Sequence, residues 1–346
     1  MIWLTWRQYR LNVAVLYAAL LAFVAALLLT GPHLADVYAA DASTFLEWLS
    51  TQRTDRNLYT IGTAAGFVVP AMIGAFWGAP MIARELEAGT HRLVWTQGVT
   101  RDRWLGTKLG LGLLGAMTAT GVMALGLTWW ASPIDKAVNA TGGSDGGSIF
   151  QVARIAPDVF AARGLAPIGY AALAFALGVL AGAVIRRTVP AMAVTLAAYV
   201  LLQMFVPGLV RTHLVEPVVT TTAITADTLH GIRGAGPNLI DELVVDLDTP
   251  GGWVRSTETV DASGNAVVLF PSWVSTCLPA PGTERSAVAG QQEACFERLA
   301  SAGYGVRTTY HPASQYWALQ WRETGVLLGA AALLTGACFW RVRRIS

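Results

Sequence analysis

Few of the 346 residues are of types that carry out chemistry, and their spacing closes off more than it opens. The only lysines are Lys108 and Lys136, which follow Thr107 and Asp135, so the Gly-Lys-Ser/Thr of a phosphate-binding loop is absent. The histidines, His33, His91, His213, His230 and His311, never stand four apart, which excludes an H-E-x-x-H zinc helix. Ser144 lies in a G-x-S-x-G pattern, Gly142 to Gly146. A nucleophile elbow needs a strand before the serine and a helix after it, and neither is expected there. Three cysteines are too few for a disulfide scaffold and form no C-x-x-C pair. If this chain moves anything uphill, a partner must supply the energy.

The polar residues that remain gather in Arg84–Lys108. Gly89 can end a helix that carries Glu85 and Glu87. Thr90–Gln97 can form two helical turns with Leu93, Val94 and Trp95 apolar, and Gly98 stops them. Thr100 can cap the next helix, with Asp102 in its first turn. A short helix across the ends of two longer ones is a lever that a partner can grip. A charged topological loop held by lipid headgroups has the same spacing.

The elements that must position this loop are membrane spans. Only 13% of residues are charged, 54% are hydrophobic and the mean hydropathy is +0.47. A soluble domain runs nearer about 25% charged. Six stretches hold no Asp, Glu, Lys or Arg: Leu11–Thr30, Ile61–Ala83, Leu109–Ala131, Gly164–Ile185, Val189–Val210 and Thr324–Trp340. About 20 helical residues cross a ~30 Å hydrocarbon core. One charge at a span's centre costs roughly 2.5–3.5 kcal/mol. This excludes a soluble enzyme and a disordered chain, and a net charge of +2 is no footprint for nucleic acid. With the N-terminus in the cytosol, inside segments carry twelve basic residues against three acidic, and outside segments the same number of basic against 19 acidic. The positive-inside rule therefore places both termini in the cytosol. The first apolar run, at 20 residues, exceeds a signal peptide's core of about 7–15, so an uncleaved span is expected. With no ionisable residue inside a span, a proton relay is not expected.

The fold class expected is an all-α polytopic membrane protein of six transmembrane helices with a small extracytoplasmic α+β domain between helices five and six. Residues 1–10 read as an interfacial helix, with Ile2, Trp6 and Tyr9 on one face. Residues 11–210 hold spans one to five, 211–321 the outer domain, and 322–346 span six with a basic tail. Gly31–Thr60 and Ser132–Arg163 read as outside loops, the first with a short helix begun by the capping box Thr44-Phe45-Leu46-Glu47. In the outer domain, Leu243–Leu247, Trp253–Val260 and Ala266–Phe270 read as strands, and Glu284–Ala302 as a helix stopped at Gly303. Cys277 and Cys295 both fall there, in a compartment that favours a disulfide over two thiols.

Glu85-Leu86-Glu87-Ala88-Gly89-Thr90 resembles the E-x-E-x-G-T signature of ABC-2 type permeases, although many members carry Arg where this chain has Leu86. The run through Trp95-Thr96-Gln97 and Thr100-Arg101-Asp102-Arg103-Trp104-Leu105 is similar to an actinobacterial branch of that family. So are the opening Met1-Ile2-Trp3-Leu4-Thr5-Trp6-Arg7-Gln8 and the stretch from Tyr310-His311-Pro312-Ala313-Ser314 to Gln320-Trp321. The resemblance implies a non-catalytic permease subunit of an ABC exporter in a bacterial cytoplasmic membrane. Such subunits pair, here as a homodimer, and bind two ABC ATPase subunits that hold the ATP and Mg. The family's coupling helix carries over onto Thr90, His91, Arg92, Leu93, Val94, Trp95 and Gln97, with Glu85, Glu87 and Gly89 just before it.

A path at the dimer centre would draw on Phe67, Met72, Phe76 and Trp77 of span two and Gln203, Met204 and Phe205 of span five. Their type suits an amphipathic or hydrophobic small molecule such as a drug, antibiotic or lipid. Lipid contact or helix packing is the other role open to each. The competing reading of the whole chain is a membrane receptor or immunity protein whose outer domain binds a ligand without transport. One expectation is directly measurable. The intact mass of the protein should rise by the hydrogens of one Cys277–Cys295 bridge when reductant is added, and an unchanged mass would mean two thiols.

Overall fold

The structure, a computed structural model, describes residues 2–89, 100–141, 149–224, 229–236, 239–245, 249, 251–267, 294, 297–298 and 301–344, with backbone alone for 2–13, 16, 141 and 229–245. The chain folds as two units. The first comprises residues 1–138, 145–215 and 314–346, and the second residues 139–144 and 216–313.

The first unit is helical. Its elements are α1 (Ile2–Ala40), α2 (Phe45–Thr51), α3 (Arg53–Met72) running through a π-helical segment (Ile73–Gly78) into α4 (Ala79–Glu87), and α5 (Arg101–Trp130). Then come α6 (Ser132–Thr141), α7 (Pro157–Phe160), α8 (Ala166–Ile185), α9 (Thr188–Val206) with a π-helical segment (Pro207–Arg211) and α10 (Thr212–Leu214), and finally α11 (Tyr316–Arg343). Six helical stretches are long and apolar enough to cross a membrane: Tyr17–Ala40, Arg53–Glu87, Arg101–Trp130, Ala166–Ile185, Thr188–Leu214 and Ala313–Arg343.

The helices overrun the apolar blocks that announced them. α1 is unbroken over 39 residues, so residues 2–10 are its first turns rather than a separate element. Nothing between Arg10 and Leu11 can break a helix, and Gly31-Pro32 does not. Gly31 is a packing residue: a Cβ there would lie 2.7 Å from the Trp129 ring. The indole of Trp130 donates to Thr30 Oγ1 at 2.8 Å beside it. α2 starts where the capping box placed it, yet Thr44 makes no side-chain cap. Asp41 takes over. Its carboxylate accepts from the Ser43 hydroxyl at 2.6 Å and amide at 2.9 Å, and from the Thr44 hydroxyl at 2.7 Å. These bonds, Ser43's first, hold its pKa down to about 2. The expected loop 132–163 contains α6 and α7.

A proline borders each π-helical segment, although Pro32 and Pro70 lie within α1 and α3 without one. A proline removes an N–H and crowds the carbonyl four residues back, and a π-turn relieves that crowding. One segment ends two residues before Pro80 and the other begins at Pro207. Pro190 falls in the first turn of α9, where proline does not disturb a helix.

α8 is the hub. It packs against α3, the first π-segment, α4, α5, α9 and α11. Half of its residues are Ala or Gly, and where these face the first π-segment and α4 the backbones meet at distances that larger side chains would prevent. A Cβ on Gly178 would lie 2.2 Å from the Gly74 carbonyl oxygen, and one on Gly74 would lie 2.6 Å from that of Ala174. Gly78 would meet the Phe175 carbonyl at 2.6 Å and Gly182 that of Ala79 at 2.4 Å. Two small-xxx-small pairs in the sequence, Gly74/Gly78 and Gly178/Gly182, therefore face each other. A third pair, Gly106/Gly110, meets nothing closer than a Phe339 ring atom at 3.7 Å.

The second unit holds β1 (Val218–Ala223), β2 (Leu229–Gly236), β3 (Leu239–Val245), β4 (Trp253–Val260) and β5 (Gly305–His311). An antiparallel sheet has the order β1-β5-β4, and β2 pairs with β3. Thr308 of β5 faces Thr220 on one side and Thr257 on the other. β4 has the expected bounds, and β3 overlaps the expected strand at residues 243–245. Of the strand expected at Ala266–Phe270, the described part forms a single bridge, Val260 to Ala266. The turn between them is built on Asp261, whose carboxylate accepts from the Ser263 and Asn265 amides at 2.9 Å each. Most of the helix expected over Glu284–Ala302 lies outside the described residues, and Gly303 beyond it has φ +74°.

The hub makes a sharp contrast measurable. Gly178→Ala should lower the thermal unfolding temperature in detergent by the equivalent of about 1–3 kcal/mol, the usual cost of overpacking. Gly110→Ala, with nothing within 4 Å, should leave it unchanged.

Candidate functional site

Glu85 and Glu87 close the helix that leads into segment 88–100, and Thr100 opens the helix that follows it. Gly89, at φ +69°, turns the chain after Glu87 as its position in the sequence predicted. Thr100 caps α5 by accepting from the Arg103 amide at 3.3 Å, again as predicted. Thr90, His91, Arg92, Leu93, Val94, Trp95 and Gln97 lie outside the described residues, so the site is built from its two flanks.

The flanks are tied to each other and to two further helix ends. Lys108 on α5 forms a hydrogen-bonded ion pair with Glu85 on α4, their side chains only 5% and 17% exposed. The Lys108 ammonium also stands 4.8 Å from the centre of the Trp104 ring. Leu86, between the two glutamates, packs on the apolar cluster that holds Met81, Trp104 and Phe175. Glu87 reaches α9, where its carboxylate accepts from the Thr188 amide at 3.0 Å and hydroxyl at 2.7 Å. Across the site, Asp102 takes two bonds from the Arg343 guanidinium, at 3.0 and 2.8 Å, and Arg101 donates to the Arg343 carbonyl at 3.2 Å. The E-x-E pair thus engages its own chain: Glu85 joins the flanks and Glu87 joins them to α9.

Sequence reasoning missed the opposite end of the bundle, where ionisable residues enter the helical spans. Glu323 on α11 and Arg211 at the end of α9's π-segment are both fully buried. Arg211 donates to the carboxylate through Nε at 2.6 Å and Nη2 at 3.0 Å, and Tyr170 of α8 adds a third bond at 2.9 Å. The guanidinium also lies 4.0 Å from the Phe160 ring centre. The expectation of no charge within a span fails because α9 and α11 continue past their apolar blocks and pair the charges they bring. Nearby, buried Arg163 bonds Asp135 at 3.0 Å and the Tyr59 hydroxyl at 2.9 Å. Burial pushes the Asp135 carboxyl above its ordinary value, against the pull of Arg163. Gln320 uses its whole amide: the oxygen accepts from the Leu165 and Ala166 amides, and the nitrogen donates to the Phe160 and Arg163 carbonyls. It caps α8, whose own Leu165 provides no side-chain cap. The one legible signal was the Gln320-Trp321 pair.

The residues expected along a path divide. Met72, Phe76, Met204 and Phe205 project from the surface of the single chain, 46%, 45%, 68% and 55% exposed. Trp77 does not, because it packs on the apolar cluster around Phe175. Phe67 and Gln203 are half-buried and joined through Tyr199, which donates to the Phe67 carbonyl at 2.9 Å and accepts from Gln203 Nε2 at 2.6 Å. Cys277 and Cys295 lie outside the described residues, while Cys338 is buried against Ala176. Among the described residues no group of His, Cys, Asp and Glu could hold a metal ion.

The Arg211–Glu323 pair yields a stability test. Arg211→Met leaves a buried carboxylate without its cation and should cost roughly 3–5 kcal/mol, read as a fall in unfolding temperature. Arg211→Met with Glu323→Leu should recover most of that loss. No curated protein and no solved structure matches the chain. Residues 17–211, more than half of it and including all the loop-flanking ties except those to Arg343, match the family described as ABC-2 membrane transporter related. A multi-pass membrane chain with six spanning helices and this match belongs to the ABC-2 membrane transporter related family.

Proposed function

We propose that the chain is the transmembrane permease subunit of an ATP-driven ABC exporter in a bacterial cytoplasmic membrane. ABC-2 permeases in general are non-catalytic membrane subunits that work with ABC ATPase partners. The observation that carries the reading is the tied frame around the 88–100 loop. Glu85–Lys108, Glu87–Thr188 and Asp102–Arg343 gather the ends of four spans around one loop. A frame of this kind gives a gripping partner purchase on most of the bundle.

In this reading the loop faces the cytosol, as do both termini. Thr90–Gln97 is the handle, and two ATPase subunits holding ATP and Mg act on a homodimer of this chain. ATP favours the conformation in which the ATPase pair closes, and that difference in affinity sets the size of the shift. Closure pushes the handle and rocks span two against span five of the second copy. The exposed Met72, Phe76, Met204 and Phe205 then contribute to a path between copies that accepts an amphipathic or hydrophobic small molecule. The chain's own part is mechanical: it holds the handle, keeps the hub rigid and lines the path.

Purification in mild detergent tests this. The chain should retain a subunit with a phosphate-binding loop, in equal number, and replacing Leu93, Val94 and Trp95 together by Asp should release it. A chain that comes away alone, and concentrates a fluorescent amphipathic dye in vesicles without ATP, would refute the assignment.

A further inference from the structure

Glu87 lies on the surface in the last turn before the loop, where a residue destined for a partner is expected, yet its carboxylate is occupied within its own chain. α9 begins after a two-residue turn, Arg186 at φ +59° and Arg187 extended. The first amides of a helix have no partner within it. At α9 the N-cap residue, Arg187, makes no side-chain cap. The acceptor arrives instead from a helix 101 residues earlier: Glu87 takes both the amide and the hydroxyl of Thr188. A carboxylate at this position also complements the positive end of the helix dipole. Directly below, Ala79 and Ala83 of α4 pack on Ala191 of α9. The last turn before the loop is thus bonded at its tip, and packed along its side, to the first turn of span five.

We infer that Glu87 is a positioning residue that hands loop displacement to span five through the Thr188 cap, rather than a contact for the partner. This rests on the proposed ATPase coupling and deepens it. The loop is covalently joined to spans two and three alone. Glu87 extends its reach to span five, as Asp102 does to span six through Arg343. Exposed polar ties of this kind add little stability. Their removal therefore separates coupling from folding.

The experiment uses the complex of the chain with the ATPase subunit that co-purifies with it. Spin labels are placed at Val200→Cys on α9 and Val68→Cys on α3, both exposed positions. ATP with vanadate should change the mobility of both labels in the parent. Thr188→Pro removes the amide and the hydroxyl at a position that tolerates proline, because the extended Arg187 suits the residue before it. Thr188→Pro and Glu87→Leu should each abolish the response at Val200, keep it at Val68, and retain the ATPase. The double variant should be no worse than either single one, as expected of two residues that act as a pair. Glu87→Gln, whose amide oxygen still accepts from both donors, should restore the Val200 response. In the chain alone, Glu87→Leu should speed hydrogen exchange in peptides covering residues 186–195.

If the Val200 response survives Thr188→Pro with the ATPase bound, this inference fails and the proposed function stands. Additive losses, or release of the ATPase by Glu87→Leu alone, would make Glu87 a partner contact and overturn it. Unchanged exchange at 186–195 would overturn it as well. Absence of any ATPase would remove the proposed function, and this inference with it.

Discussion

The close approach of Gly74 and Gly78 to Gly178 and Gly182 is the constraint on which the helical unit depends. Where a Cβ would lie 2.2 Å from a carbonyl oxygen, only glycine can stand, and the separation of two helices is set by backbone alone. Hydrocarbon offers no hydrophobic drive to press helices together, so van der Waals fit has to do it. α8 makes that backbone contact with the first π-segment and α4, and meets α5 and α11 through side chains such as Phe175 and Leu327.

Charged pairs gather at the two ends of the bundle, and each end holds a buried one, Arg211–Glu323 at one and Lys108–Glu85 at the other. Around Arg211 and Glu323 charge is fully buried, and the carboxylate takes three hydrogen bonds, two from Arg211 and one from Tyr170. Such a pair is costly to desolvate and costlier to break, so it fixes one arrangement of α8, α9 and α11. Around the 88–100 loop, the Asp102–Arg343 tie is 50% and 65% exposed and Glu87 is also at the surface. The loop end thus adds two exposed ties to its buried pair.

The spans, the break at Gly89 and the Thr100 cap were legible because each follows from local composition and backbone chemistry. The buried pairs were not. Arg211, Glu323 and Arg163 flank apolar blocks and look like ordinary border charges until helices overrun those borders and bring residues over a hundred positions apart together. Gly74/Gly78, Gly178/Gly182 and Gly106/Gly110 share one spacing in the sequence, and spacing alone does not show that the first two pairs meet while the third meets little. Glu85 and Glu87 were marked as functional by pattern, and their partners Lys108 and Thr188 came only from geometry. β1 and β5 escaped notice because threonine runs such as Thr220-Thr221-Thr222 and Thr308-Thr309 show no alternation of apolar and polar residues, although threonine suits a strand.

The wide segment at Ile73–Gly78 affects how the second span is mapped. A hydrogen bond closed over five residues instead of four accommodates an extra residue in the coil. The angular phase of everything past Gly78 is then offset by about 100° from an unbroken wheel. A wheel drawn from Ile61 to Glu87 would assign the wrong edge to the very glutamates that close it. The residues before Ile73 and those after Gly78 are better treated as two rods sharing one axis and rotated about it.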